Sequence, residues 1–459
     1  MLSHTTIITI VLLVLQVIEA RNIPVAYSRS TTIEHTTTPI KATREAIDYI
    51  PTSSNVLTLR HTRSTPGGGK KYRSAAHIFG HIPTTNHSST LISLLQGGEF
   101  ATDIKLGTQT FEAIVDTGSS DTWVVQSSFT CLRIATGQPW PASNCGFGPT
   151  YTIDSSFTPI LDVNFNISYG SGQFLTGVFG REDVTLAGIE INQQIAVVDQ
   201  AGWQGDNSTS GLIGLAYPAI TDQYAGTDPT VDNTDLAPQI PYCPIFQTMV
   251  EQGLVSDLFS LAILRNVDGP AGYLALGGVP PLDFEQNFTS TPILITHIPQ
   301  YPIGYDFYTI NTQGIYLDGI MVSGSGDDVQ YIVDSGTTLA YLPPLITSAI
   351  NAAFNPPAIF SFWYGIYIVN CNATAPPVSI KIGGVMLNIN PADMIFVAGT
   401  DLFGQKLCAS GVTTGGQGPY ILGDTFLKNV VAVFDIGAGM MRFAGRAYYE
   451  SNNLGGGLR

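Results

Sequence analysis

The sequence predicts an all-β protein made of two related halves, and three observations carry that expectation. Charged residues are only 12% of the 459, while glycine supplies 48, a composition suited to many short strands joined by Gly- and Pro-rich turns. One short phrase occurs twice, as Val115-Asp116-Thr117-Gly118-Ser119-Ser120 and Val333-Asp334-Ser335-Gly336-Thr337-Thr338. Each copy is followed at similar distance by an apolar-apolar-Gly phrase, Leu212-Ile213-Gly214 and then Ile421-Leu422-Gly423. A single Asp-Ser/Thr-Gly is an ordinary turn sequence. Two copies, each entered from an apolar β-branched run and each trailed by the same second phrase, point to an internal repeat that presents two carboxylates.

In chain order, residues 5 to 18 are apolar and Ala20 is a small residue at a cleavage position, so residues 1–20 are expected to be a signal peptide. Residues 21–73 are rich in Thr, Ser and Pro and end in Pro66-Gly67-Gly68-Gly69-Lys70-Lys71-Tyr72-Arg73. A glycine hinge beside a dibasic pair is a place for processing, which marks 21–73 as a propeptide ending there or as late as about residue 90. Within it, Val56-Leu57-Thr58-Leu59-Arg60 reads as a strand able to join the body. Residues 74–264 are expected to form the first lobe, with a polar hairpin at 166–175 and a short helix from Phe246 to Gly253. Residues 265–459 should repeat the plan, with a helix near Pro344 to Phe354. No low-complexity linker separates the halves, so they should pack together.

Five sequons, at Asn86, Asn166, Asn207, Asn287 and Asn372, and an apolar N-terminus fit a secretory destination, extracellular or vacuolar. The C-terminus lacks an apolar anchor segment, and no stable membrane association is expected. Five cysteines leave one unpaired. Local pairing would join Cys131 to Cys145 and Cys371 to Cys408, leaving Cys243 as a thiol. Charge is unevenly divided. Residues 1–73 hold nine Lys and Arg against four Asp and Glu, whereas the chain as a whole has a formal charge of −16. A basic leader on an acidic body reads as an electrostatic clamp, and such a body would repel nucleic acid.

Histidine narrows the chemistry further. His4, His35, His61, His77, His81 and His87 lie in or just beyond the leader, and only His297 falls in the body. A multi-histidine metal centre is therefore not expected, and a Ser-His-Asp or Cys-His site would depend on that one residue. There is no Walker or dinucleotide glycine pattern either, so no metal or cofactor is expected. Two apposed carboxylates remain. If Asp116 and Asp334 face each other, both cannot ionise, and one proton is shared between them. One carboxylate then serves as base toward a water while its protonated partner polarises a carbonyl. Ser119 and Thr337 can bond the outer carboxylate oxygens, and Gly118 and Gly336 let backbone N–H groups approach.

These phrases resemble those of the pepsin-like aspartic endopeptidases, secreted fungal-type pepsins among them, and the resemblance runs over essentially the whole chain. It implies a bilobal fold of two β-barrel-like lobes around a cleft, with Asp116 and Asp334 as catalytic pair. Thr117, Gly118, Ser119, Ser335, Gly336 and Thr337 would be its support. It makes Tyr169-Gly170-Ser171-Gly172 the tip of a flap, with Trp123 bonded to Tyr169, and it makes Ile114 and Leu212 candidates for lining a side-chain pocket. The implied activity is hydrolysis of peptide bonds at acidic pH by a monomeric enzyme made as a zymogen. Its partners would be extended polypeptides and pepstatin-type inhibitors, with no cofactor. The alternative is a catalytically inactive binding protein of lectin or inhibitor type. Such relatives usually lose an aspartate or the flap tyrosine, and this chain keeps them. Departures from the pattern are the wide Cys131 to Cys145 spacing, Gln173 where a small hydroxyl residue is usual, a sequon at Asn166 near the flap, and an enlarged segment from Thr221 to Pro241.

Overall fold

The computed structural model describes residues 34–35, 50–60, 100–263, 270–280, 287–297, 304–326, 329–362, 364–400 and 405–446. The expected signal peptide, most of the expected propeptide and its Gly67 to Arg73 stretch lie outside them. So do Lys41, Arg44 and Arg63 and the side chain of Arg60, the basic leader residues that an electrostatic clamp would set against the two aspartates, and the side chain of His297.

In the first half six strands close on themselves. Gln109–Asp116 lies between Ala101–Leu106 and Gly211–Gly214, and the ring continues through Thr122–Leu132, Ile189–Gly202 and Phe174–Leu186. It closes where Leu106 pairs with Val184 and Lys105 with Thr185. Local sequence explains much of this. Buried and exposed residues alternate through most of Phe174–Leu186, the two-residue period of a strand with one face on a core. Ala187 and Gly188 both take positive φ, 52° and 72°, as a two-residue hairpin turn that matches strand twist requires.

Between the halves runs a sheet of different character. Leu258–Ile263 and Val430–Asp435 are buried at every residue, as expected of strands covered on both faces. Phe259 and Phe434 stack with ring centroids 4.5 Å apart. The leader strand Asn55–Arg60 runs antiparallel to Pro270–Leu276 at the edge of this group and touches the first barrel where Arg60 pairs with Ala101. Leu57 and Leu59 are buried there. A second leader fragment, Glu34–His35, pairs with Thr296–His297.

The second half centres on Gln330–Val333, Tyr420–Leu422 and Ala340–Leu342, in a sheet of five strands. The expected helices occupy Ile245–Glu251 and Pro344–Ala352. The first buries Ile245, Phe246 and Met249 and ends where Gly253 turns to φ 71°. There Gly253 N–H bonds Val250 O and Leu254 N–H bonds Met249 O, the glycine-terminated pattern that satisfies a helix's last carbonyls. Disulfides join Cys131 to Cys145 and Cys371 to Cys408, and Cys243 is a free, half-buried thiol.

Candidate active site

The two Asp phrases and the two glycine phrases are built into one device. In the first half Gly211–Gly214 runs parallel to the strand that ends at Asp116, with Gly214 opposite Asp116. In the second half Tyr420–Leu422 runs parallel to Gln330–Val333, with Leu422 opposite Val333. Each glycine is required by a close crossing. A Cβ at Gly214 would lie 2.6 Å from Asp121 N, and one at Gly423 would lie 2.5 Å from Leu339 O. Any side chain there would push away the loop that carries the carboxylate, so the repeat of apolar-apolar-Gly has a steric cause.

Asp116 and Asp334 meet across the two halves. Gly118 N–H donates to Asp116 Oδ1 and Gly336 N–H to Asp334 Oδ1, both at 2.7 Å. Ser119 Oγ and Thr337 Oγ1 donate to the respective Oδ2 atoms, both at 2.5 Å. The halves are interleaved, since a Cβ on Gly118 would sit 2.6 Å from the Asp334 carboxylate carbon, and Gly336 is packed in the same way on Asp116. Beneath the carboxylates, Thr117 Oγ1 donates to Val333 O at 3.1 Å and accepts from Ser335 N–H at 3.0 Å. Ser335 Oγ donates to Val115 O at 2.9 Å and accepts from Thr117 N–H at 3.2 Å. Four buried bonds thus fix the separation of the two aspartates.

Burial raises both carboxyls, and for Asp116 the charge of Asp334 adds to it, pushing Asp116 up to about 8. A pair so placed shares one proton, because the charge of one carboxylate opposes ionisation of the other. A third acid lies close by. Asp424, in the phrase that follows Leu422, is wholly buried, and neither of its carboxylate oxygens has a hydrogen-bond partner. Burial raises it well above the usual range against the opposing charge of Lys428. The charge of Asp334 acts in the same direction as burial.

A hairpin made by Val163–Ser168 and Phe174–Leu186 carries Tyr169 at its turn. Trp123 Nε1 donates to Tyr169 Oη at 2.8 Å, and Gly172 takes φ 83° to close the turn, donating to Tyr169 O at 2.9 Å. Burial first, and then the charge of Asp116, hold the Tyr169 phenol protonated. Gly170 and Ser171 are exposed on the tip. Ile114 and Leu212 are register partners and share a buried cluster with Trp123 and Trp203, against which Tyr169 packs.

Several residues of this region were not foreseen from the sequence. Trp203 meets Trp123 edge-on at 5.3 Å and Tyr169 at 5.7 Å. Asp121 accepts from Asp222 N–H and from Tyr242 Oη, both at 2.9 Å, and Tyr224 Oη donates to Asp222 Oδ1 at 2.7 Å. These bonds tie the enlarged segment from Thr221 to Pro241 to the loop after Asp116. In the sequence the segment stood out only as enlarged, with no role assigned to Asp121, Asp222, Tyr224 or Tyr242. Asn166 is also committed, since its Nδ2 donates to Asp232 Oδ2 at 2.7 Å and to Pro229 O at 3.0 Å. Among the described residues no cluster of His, Cys, Asp or Glu suits a metal ion.

Comparison with known proteins agrees with this architecture. Residues 99–446 match the family model for eukaryotic aspartyl proteases. A probable aspartic-type endopeptidase of Aspergillus fumigatus is 47% identical over 380 residues, covering 82% of this chain and 84% of that protein. Pepsin A of Sus scrofa is 28% identical, over 80% of this chain and 84% of its own length. Rhizopuspepsin-4 of Rhizopus niveus is 26% identical, over 78% of each. With two carboxylates delivered by paired lobes and a family match over most of its length, the chain belongs to the eukaryotic aspartyl proteases.

Proposed function

We propose that this aspartic-type endopeptidase cleaves extended polypeptides at acidic pH with a water held between Asp116 and Asp334. One observation supports the reading above others, namely the symmetric support of the two carboxylates. Each accepts a glycine N–H at Oδ1 and a hydroxyl at Oδ2, and a carboxylate oxygen that accepts one bond keeps a second lone pair, which serves one water and one shared proton between the two. The ionised carboxylate takes a proton from the water as it attacks the scissile carbonyl. The protonated partner donates to the carbonyl oxygen to give a gem-diol; the proton gained by the first then passes to the amine nitrogen as the C–N bond breaks, and a gem-diol hydroxyl returns its proton to the partner.

Tyr169, Gly170 and Ser171 form the flap that covers the substrate, and the peptide adds to the flap as a further strand, held through its main chain. Ile114 and Leu212, beside the Trp123 and Trp203 indoles, back a pocket for an apolar side chain. The protein is made as a zymogen, works as a monomer and is secreted or vacuolar. The leader strand Asn55–Arg60 in the central sheet supports the zymogen reading, because its removal would empty an edge that another strand must fill. No helix among the described residues is long and apolar enough to cross a membrane.

The test is incubation of the purified, processed protein with denatured haemoglobin from pH 2 to 8, with and without pepstatin. Cleavage confined to acid pH and stopped by pepstatin is expected. A folded protein that binds pepstatin yet cleaves nothing at any pH would favour the inactive binding protein.

A further inference from the structure

We propose that Gln173 is a positioning residue that latches the flap tip to the segment around Gln204 and so sets how tightly the flap holds a peptide. The proposal rests on the protease reading above. The main-chain ladder between Phe174–Leu186 and Ile189–Gly202 stops at the pair Phe174 and Gly202. One residue further on, the Gln173 side chain takes over the pairing, because its Oε1 accepts from Gln204 N–H at 2.9 Å. Its Nε2 donates to Ser171 Oγ at 3.0 Å, and its main-chain oxygen accepts from Tyr169 N–H at 2.8 Å. Gln173 is 5% exposed. An amide so enclosed has little water to replace a lost partner, so the geometry is held rather than sampled.

The far side of the latch is braced. Gly205 N–H donates to Cys145 O at 2.8 Å, Asn207 N–H to Gly146 O at 2.6 Å, and Gly148 N–H to Thr209 O at 2.8 Å. Cys145 is itself bonded to Cys131. The widely spaced disulfide thus supports the backbone on which the latch closes. Trp203, next to that backbone, packs on both Tyr169 and Trp123. One amide therefore connects the flap tip to the aromatic wall that faces it. A serine at the same position ends two heavy atoms short and cannot reach Gln204 N–H without moving the hairpin.

The experiment compares wild type, Gln173→Ser, Gln173→Glu and Ser171→Ala by steady-state cleavage of a quenched fluorescent octapeptide at pH 3, and by hydrogen exchange of the amides from Tyr169 to Gln204. Gln173→Ser is expected to raise KM roughly 3- to 10-fold, the worth of one hydrogen bond, with kcat within about twofold. Exchange at Gln204 N–H and in the flap tip should accelerate. Gln173→Glu, protonated at pH 3, keeps both an acceptor and a donor and should restore the wild-type KM. Ser171→Ala, on the exposed tip, removes the Oγ acceptor of Gln173 Nε2 and of Gln173 N–H, leaves the bond to Gln204 in place and should give a smaller rise. Unchanged KM and unchanged Gln204 exchange in a folded Gln173→Ser variant would overturn the latch. A wild-type protein that cleaves no substrate would count against the protease reading alone, because exchange reports the latch without turnover.

Discussion

Asp116 and Asp334 each accept one glycine N–H and one hydroxyl from their own half, and their neighbours Thr117 and Ser335 bond across the halves. The roles of these four residues are therefore separable by substitution. Asp116→Asn or Asp334→Asn keeps the shape of the site but removes either the base or the shared proton. Each should lower kcat by about 10²- to 10⁴-fold with the folded circular dichroism spectrum intact. Residual activity above a few per cent in either variant would end the shared-proton mechanism. Thr117→Val should act on stability, because it leaves Ser335 N–H and Val333 O buried without partners. The expected cost is about 1–3 kcal/mol per orphaned group, read as a lower urea midpoint with an unchanged slope. Thr117→Ser retains the hydroxyl and should lose much less.

The flap hairpin and the leader strand are the elements whose roles depend on what they pair with. The bond from Trp123 Nε1 to Tyr169 Oη is one attachment of the hairpin turn. Trp123→Phe keeps an aromatic body but leaves the phenol, close to Asp116, without that donor. KM for a long peptide should rise several-fold, as expected for loss of one buried bond, and a tripeptide too short to reach the flap should show less change. The leader strand Asn55–Arg60 fills a sheet edge through main-chain bonds to Pro270–Leu276. N-terminal sequencing of the processed protein should find a start between Lys71 and about Leu91. The uncut precursor, still carrying its basic leader, should be inactive at neutral pH. Equal cleavage rates for precursor and trimmed enzyme would show that the leader is no clamp.

Across the molecule, carboxyl groups set the pH range of stability. Asp116 is raised from 3.8 to about 8, Asp206 to about 6, and Asp121 and Asp424 well above the usual range, burial being the largest cause in each. The folded state then keeps protons that the unfolded chain releases above about pH 4. Stability must fall as pH rises between those values, the reverse of a protein held by ionised salt bridges. The formal charge of −16 adds general repulsion in the same direction. Thermal unfolding midpoints should therefore be highest near pH 3 to 5 and decline steadily toward pH 8. A midpoint that climbs between pH 5 and 8 would contradict the assignment of these acids as carboxyls that burial makes harder to ionise.

The all-β class, the repeat, the two helices and the leader strand were legible in the amino-acid order because each depends on neighbours a few residues apart. Alternating burial, turn glycines and short apolar runs act within single strands. The Asp phrases were legible for a related reason, since turn geometry obliges Gly118, Ser119, Gly336 and Thr337 to stand two and three residues after their aspartates. The need for Gly214 and Gly423 was visible only as a pattern, and its cause lies in loops crossing from a distant part of the chain. The same holds for Thr117 against Ser335, for Asp121 against Asp222, and for Gln173 reaching Gln204. Those contacts exist only after strand register and the packing of one half on the other have brought backbones within hydrogen-bonding distance. Local periodicity carries no information about which remote N–H will arrive there, so these contacts were set by the folded molecule and not by any segment alone.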